Sequence, residues 1–119
     1  MSIYGDIILD HYHNPRNYKT ISQKTHAVEV KNPLCGDELT MEAIIKGGKL
    51  IDIGFSGQGC AISLASASLL TEFVKDTPVE ELKGITPEDV VGLLHVELSP
   101  NRLKCALLSL EALKKILSQ

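Results

Sequence analysis

Thiol chemistry in this chain rests on Cys35, Cys60 and Cys105, each at the edge of a sequence element. Cys35 lies in Asn32-Pro33-Leu34-Cys35-Gly36-Asp37, where proline and glycine mark a turn. Cys60 follows Gly57-Gln58-Gly59 and opens a helical segment, so unpaired N–H groups and the helix dipole favour its thiolate. Cys105 follows Pro100 in the second turn of the last helix. It falls about 200° round from Leu103, away from a stripe of leucines. Three cysteines cannot all pair within one molecule, and no Cys-x-x-Cys occurs. Reduced thiols with a chemical task fit better than a disulfide framework.

Asp37, two residues beyond Cys35, adds a carboxylate. Three thiolates and one carboxylate make a tetrahedral set for zinc or iron. Sites built only for structure are usually all-cysteine or cysteine–histidine, so the oxygen ligand marks a position that could open. The four ligands carry more negative charge than a divalent ion neutralises, and Arg102 and Lys104 beside Cys105 would offset the excess and lower a thiol pKa. Each residue also has a plainer reading. A free cysteine is often a small buried hydrophobe, Asp37 could be turn chemistry, and Arg102 and Lys104 a solvated helix face. His11 and His13 suit the dipole at the end of the first helix, His26 precedes a strand and His95 ends a short helix, so solvated or capping roles fit them better than metal ligation. Neither a phosphate loop nor a Gly-x-Ser-x-Gly elbow is present.

The elements that must position these residues follow from periodicity. A first helix runs from about residue 2 to 14, with Ile3, Ile7, Ile8 and Tyr12 on one face, and Pro15 stops it. Alternation predicts strands over 27–31, 38–46 and 49–55, the last two joined by Gly47-Gly48 as a tight hairpin. Residues 60–75 read as a helix whose small side chains allow close packing. Thr77-Pro78 and Thr86-Pro87 read as starts of short helices. Ser99-Pro100 opens the last helix, to about Leu117, with Leu103, Ala106, Leu107, Leu110, Leu113 and Leu117 on its core stripe. The expected fold is a single α+β domain over residues 1–119, a three-stranded antiparallel sheet with helices packed against it.

Composition narrows the function. Hydrophobic residues make 44% and charged residues 23% of the chain, which suits a folded domain rather than a disordered one. The net charge of −3 has the wrong sign for a phosphate-binding face, and 4% aromatics supply few base-stacking surfaces. Neither a membrane span nor a signal peptide is legible, so a cytoplasmic protein without nucleic-acid or membrane partners is expected.

Asn32-Pro33-Leu34-Cys35-Gly36-Asp37, Phe55-Ser56-Gly57-Gln58-Gly59-Cys60-Ala61-Ile62-Ser63 with Ala65-Ser66-Ala67-Ser68, and Arg102-Leu103-Lys104-Cys105-Ala106 together resemble the IscU/SufU/NifU N-terminal family. Asp10-His11-Tyr12-His13-Asn14-Pro15-Arg16-Asn17 is similar to that family's opening, and the resemblance spans residues 3 to about 117. These proteins are scaffolds and sulfur acceptors in iron–sulfur cluster assembly. The resemblance implies that Cys35, Asp37, Cys60 and Cys105 ligate zinc, iron or a transient [2Fe–2S] cluster, with Asp37 keeping the cluster labile. It implies that Cys105 accepts persulfide sulfur from a cysteine desulfurase. Lys104 departs from the IscU branch, which has histidine there, and that branch's Pro-Pro-Val-Lys motif is missing. Ala61-Ile62-Ser63 looks like SufU, whereas the insertion SufU carries between its second and third cysteines is absent.

The resulting expectation is an assembly scaffold that takes sulfur at Cys105 and hands a cluster to apo iron–sulfur recipients or carriers. It would work as a monomer or weak homodimer and not as a stand-alone enzyme, though with scope for a sulfurtransferase role. The alternatives are a zinc-dependent sulfur relay of SufU type, a structural zinc module that mediates contacts and, least well supported, a thiol-redox enzyme.

Overall fold

The computed structural model describes residues 5–33 and 36–119. Helix α1 spans Gly5–His13 and is followed by three long strands, β1 (His26–Asn32), β2 (Asp37–Lys46) and β3 (Lys49–Gln58). Helix α2 (Ala61–Val74) leads through the two-residue strand β4 (Thr77–Pro78) to α3 (Val79–Leu82), α4 (Pro87–Leu94) and α5 (Pro100–Leu117). The strands form an antiparallel sheet in the order β1-β2-β3-β4.

Strand β2 sets the register that matters for function. Its residues alternate in burial, and Asp37, Leu39, Met41 and Ala43 share the inward face. Asp37 is therefore aimed into the helical layer by the same period that buries the leucine and methionine. Gly47 and Gly48, both at positive φ, turn the chain tightly into β3. Pairing then runs as far as Glu38 opposite Gln58, which delivers Gly59 and Cys60 beside Asp37.

Helices α2 and α5 cover the inward face of the sheet, α1 packs on α2, and α4 packs on α2 and α5. The small residues of α2 permit this sandwiching. Ser66 donates to the carbonyl of Ala106 at 2.6 Å and lies 3.2 Å from Ser109 Oγ. The main core joins Leu39, Met41, Ile53 and Phe55 to Leu70, Leu113 and Ile116. A second cluster of Ile8, Ile62, Ala65, Leu94, Cys105 and Ala106 lies where α1, α2, α4 and α5 meet.

Four details depart from the sequence expectation. The sheet has a fourth strand, because Thr77 and Pro78 pair with Leu50 and Lys49 before α3 begins; two residues are too short for any periodicity to reveal. Strand β3 runs on to Gln58, since Gly57 opposite Leu39 has no side chain: a Cβ there would stand 2.2 Å from the carbonyl oxygen of Glu38. In α1 the buried residues are Ile8 and His11, while Ile7 and Tyr12 are exposed and Ile3 lies outside the described residues. The expected stripe on α5 is also displaced. Leu103 is exposed and Leu107 and Leu117 half-buried, whereas Cys105, Leu108, Ser109, Ala112 and Ile116 are buried. The helix packs against both sheet and α2, and the α2 side selects small residues that the leucine pattern hides. Cys105 therefore faces the interior and not, as its offset from Leu103 implied, away from the packed side.

Candidate metal centre

Three of the four expected ligands come together. Asp37 arrives from the start of β2, Cys60 from the N-cap of α2 and Cys105 from the second turn of α5. One ligand atom from each lies within 4.8 Å of the other two. Asp37 and Cys105 are 4% and 6% exposed, and Cys60 is half-buried. The fourth, Cys35, lies outside the described residues, as does Leu34 beside it.

Tetrahedral zinc with bonds of about 2.0–2.3 Å holds its ligand atoms roughly 3.5 Å apart, so the three donors need close by only about an ångström. Two soft thiols and one hard carboxylate suit zinc or iron. The backbone has made room for the carboxylate: a Cβ on Gly59 would stand 3.0 Å from both the carboxyl carbon and Oδ1 of Asp37. The donor set and this cradle fit a divalent metal.

Hydrogen bonds hold the carboxylate in that cradle. The Cys60 N–H donates to Asp37 Oδ1 at 3.1 Å, and the Ser63 hydroxyl donates to Oδ2. Cys60 Sγ lies 3.7 Å from both Asp37 Oδ2 and Ser63 Oγ. Helix α2 has no acidic residue in its first turn and no cap from the Cys60 side chain, so Asp37 supplies the negative charge its N-terminus favours from another strand.

The three residues line a cavity of about 420 Å³, whose wall also includes Asn32, Asn101, Arg102 and Lys104. Arg102 and Lys104 are exposed, as a solvated helix face requires, yet both also border this cavity. They sit near the N-terminus of α5, where the dipole disfavours cations and where no acidic side chain appears in the first turn. A larger cavity of about 470 Å³ beside Phe73, Leu82 and Ile85 brings Glu81 and Asp89 together but no thiol or imidazole.

Histidine contributes nothing to this centre among the described residues. His11 instead packs between helices, its Nδ1 2.7 Å from Ser68 Oγ, and burial lowers its pKa. The residue that sequence reasoning missed is Ser63. The sequence reading places it among the small residues of α2 and within the family motif but gives it no role at the site, although its place one helical turn after Cys60 puts both on the same face.

On this α+β frame a carboxylate from a strand therefore meets two thiols carried by helices. Residues 3–119 match the family described as the NifU-like N terminal domain, and the chain belongs to that family. Among curated relatives, it is 34% identical to the zinc-dependent sulfurtransferase SufU of Bacillus subtilis, over 96% of this chain and 88% of that protein. That alignment has more positions than this chain has residues, so SufU carries residues the chain lacks. It is equally 34% identical to an iron–sulfur cluster assembly scaffold protein IscU of Archaeoglobus fulgidus, over 95% of this chain and 73% of that one. A crystal structure assigned to a SUF-system scaffold for iron–sulfur cluster assembly, from Fervidobacterium islandicum AW-1, superposes with a TM-score of 0.84 at 28% identity. The match covers 97% of this chain and 96% of the other.

Proposed function

We propose that the protein is an iron–sulfur cluster assembly scaffold that accepts persulfide sulfur from a cysteine desulfurase and holds zinc, iron or a nascent [2Fe–2S] cluster. The observation that carries this reading is the convergence of Asp37, Cys60 and Cys105 at one basic-rimmed cavity. Cys35, two residues before Asp37, would complete the ligand set. Family membership and relatives named as scaffold and sulfurtransferase support the same assignment.

The chemistry follows from the residues. The Cys105 thiolate attacks the outer sulfur of the desulfurase persulfide. A new S–S bond forms on Cys105, the donor S–S bond breaks, and the desulfurase cysteine leaves as thiolate. A Cys105 thiolate bound to a metal would have to leave it before attacking, and Asp37, the one oxygen among the proposed ligands, would be the group that exchanges most readily and gives a new ligand room to enter. Arg102 and Lys104 at the rim favour the thiolate and offset the negative ligand set. Iron, sulfide and the cluster are cargo, passed on to apo-proteins or carriers.

A second reading, a zinc-dependent sulfur relay, draws support from the likeness to SufU and from Lys104 at the position before Cys105. Anaerobic incubation with ferrous iron, cysteine, a desulfurase and a thiol reductant, which supplies the electrons that take persulfide sulfur to sulfide, separates the two. The scaffold reading expects a visible cluster chromophore that moves to an apo-ferredoxin. Persulfide formation and desulfurase stimulation without a transferable cluster would favour the relay. Replacing Lys104 by His tests whether that position sets the branch; unchanged cluster yield and desulfurase stimulation would show that it does not.

A further inference from the structure

Ser63 is wholly buried, and its hydroxyl stands at the centre of the candidate site. Its Oγ contacts Asp37 Oδ2, lies 3.2 Å from the Cys105 carbonyl oxygen and lies 3.7 Å from Cys60 Sγ. A serine has one proton to give, and the charged carboxylate is the strongest of these acceptors. Asp37 is therefore gripped on both oxygens from α2, by the backbone of the N-cap residue on Oδ1 and by Ser63 on Oδ2. Each carboxylate oxygen has a second lone-pair direction, so a metal can bind Asp37 while both hydrogen bonds persist. Other buried serines of the helix serve packing instead: Ser66 donates to the Ala106 carbonyl, and Ser68 accepts from the Arg16 N–H.

Resting on the metal-binding reading above, we infer that Ser63 is a positioning residue of the metal site. Its hydroxyl fixes the Asp37 carboxylate in ligating orientation and so sets how firmly the ion is held. Hydrogen-bond partners of metal ligands typically account for about 10–100-fold in affinity.

The test is zinc affinity, measured by competition with a chromophoric chelator, together with the visible spectrum of the cobalt(II)-substituted protein. Ser63→Ala is expected to weaken zinc about 10–100-fold and to alter the cobalt bands. Ser66→Ala, which removes a comparable hydroxyl from the same helix, is expected to leave both unchanged. In an Asp37→Ala background, Ser63→Ala should cost nothing further, because the group it positions is gone. Equal weakening in both backgrounds would mean that Ser63 acts through the fold or through Cys105, and would overturn the inference. So would a wild-type affinity in Ser63→Ala. Should Ser63→Ala fail to fold, the isosteric pair Ser63→Thr and Ser63→Val isolates the hydroxyl, and equal zinc affinity in that pair would overturn the inference too. A site indifferent to Asp37→Ala overturns the metal reading of Asp37 and this inference with it; a site that needs Asp37 but ignores Ser63 overturns the inference alone.

Discussion

Under the proposed function, Asp37 has two roles whose demands conflict. As an anion at the N-terminus of α2 it accepts from Cys60 N–H and Ser63 Oγ, which anchors it; as the one oxygen donor beside thiols it is the ligand a soft metal holds least well. A bound cluster should therefore exchange through Asp37. Asp37→Ala is expected to make a reconstituted cluster longer-lived, read as slower bleaching of its visible absorption in the presence of a chelator; faster loss would contradict the labile role. The prediction concerns the cluster, whereas zinc affinity should fall in the same variant because a ligand is lost. Cys105 brings a second tension, since its side chain is almost buried and yet, in the proposed role, would have to meet a donor sulfur. Access comes from the cavity that Cys105 itself lines beneath Arg102 and Lys104. Reversing either charge, as in Lys104→Glu, should slow sulfur acceptance and weaken its dependence on ionic strength, measured by the initial rate of persulfide formation at two salt concentrations.

At the scale of elements, the site depends on where β3 ends. Gly57 lets β3 close against the Glu38 backbone, and that extension carries Gly59 and Cys60 to Asp37. Gly57→Ala should cost roughly 2–3 kcal/mol, seen as a lower urea midpoint, because a Cβ would run into a strand carbonyl rather than a yielding side chain. The docking of α1 carries a pH dependence. His11 is buried against Ser68, and burial, followed by the charge of Arg16, lowers its pKa from the ordinary 6.5; Glu72 and Asp10 act in the opposite sense. As pH falls through about 6.5 the unfolded chain takes up this proton first, so stability declines until the folded-state imidazole also titrates. His11→Gln should remove that decline, checked by urea unfolding between about pH 7.5 and 5.5. Much of this architecture was legible in the chain. Alternation in β2, the Gly47-Gly48 hairpin and the capped starts at Thr86 and Ser99 each followed from a short, strong pattern. Strand β4 and the true buried arc of α5 were not, because pairing of Thr77-Pro78 and the approach of α2 to Cys105, Ala106 and Ser109 are set by tertiary contact. In the site, residue types and the family resemblance pointed to Asp37, Cys60 and Cys105. Ser63 was passed over because its serine-rich, small-residue surroundings read as packing.

At the scale of the molecule, the core is expected to stand without a metal. The principal hydrophobic cluster joins the sheet to α2 and α5 without including a thiol among its buried members, and Cys105 belongs to the smaller cluster. Chelator-treated protein should therefore keep its far-ultraviolet circular dichroism and unfold cooperatively, with added zinc raising the midpoint by linkage. Loss of structure on chelation would favour a structural zinc module, for which the metal supplies on the order of 10 kcal/mol of folding energy. No helix among the described residues is long and apolar enough to cross a membrane. The frame is thus able to stand while its ligands open and close, which a scaffold needs and a structural zinc site does not. The most direct test of the central claim is intact and peptide mass spectrometry after incubation with a cysteine desulfurase, its pyridoxal phosphate and cysteine, without reductant. The account predicts one added sulfur localised to Cys105 and lost in a folded Cys105→Ser variant. An unmodified wild-type protein that keeps its zinc, or persulfide retained at wild-type levels in Cys105→Ser, would contradict it.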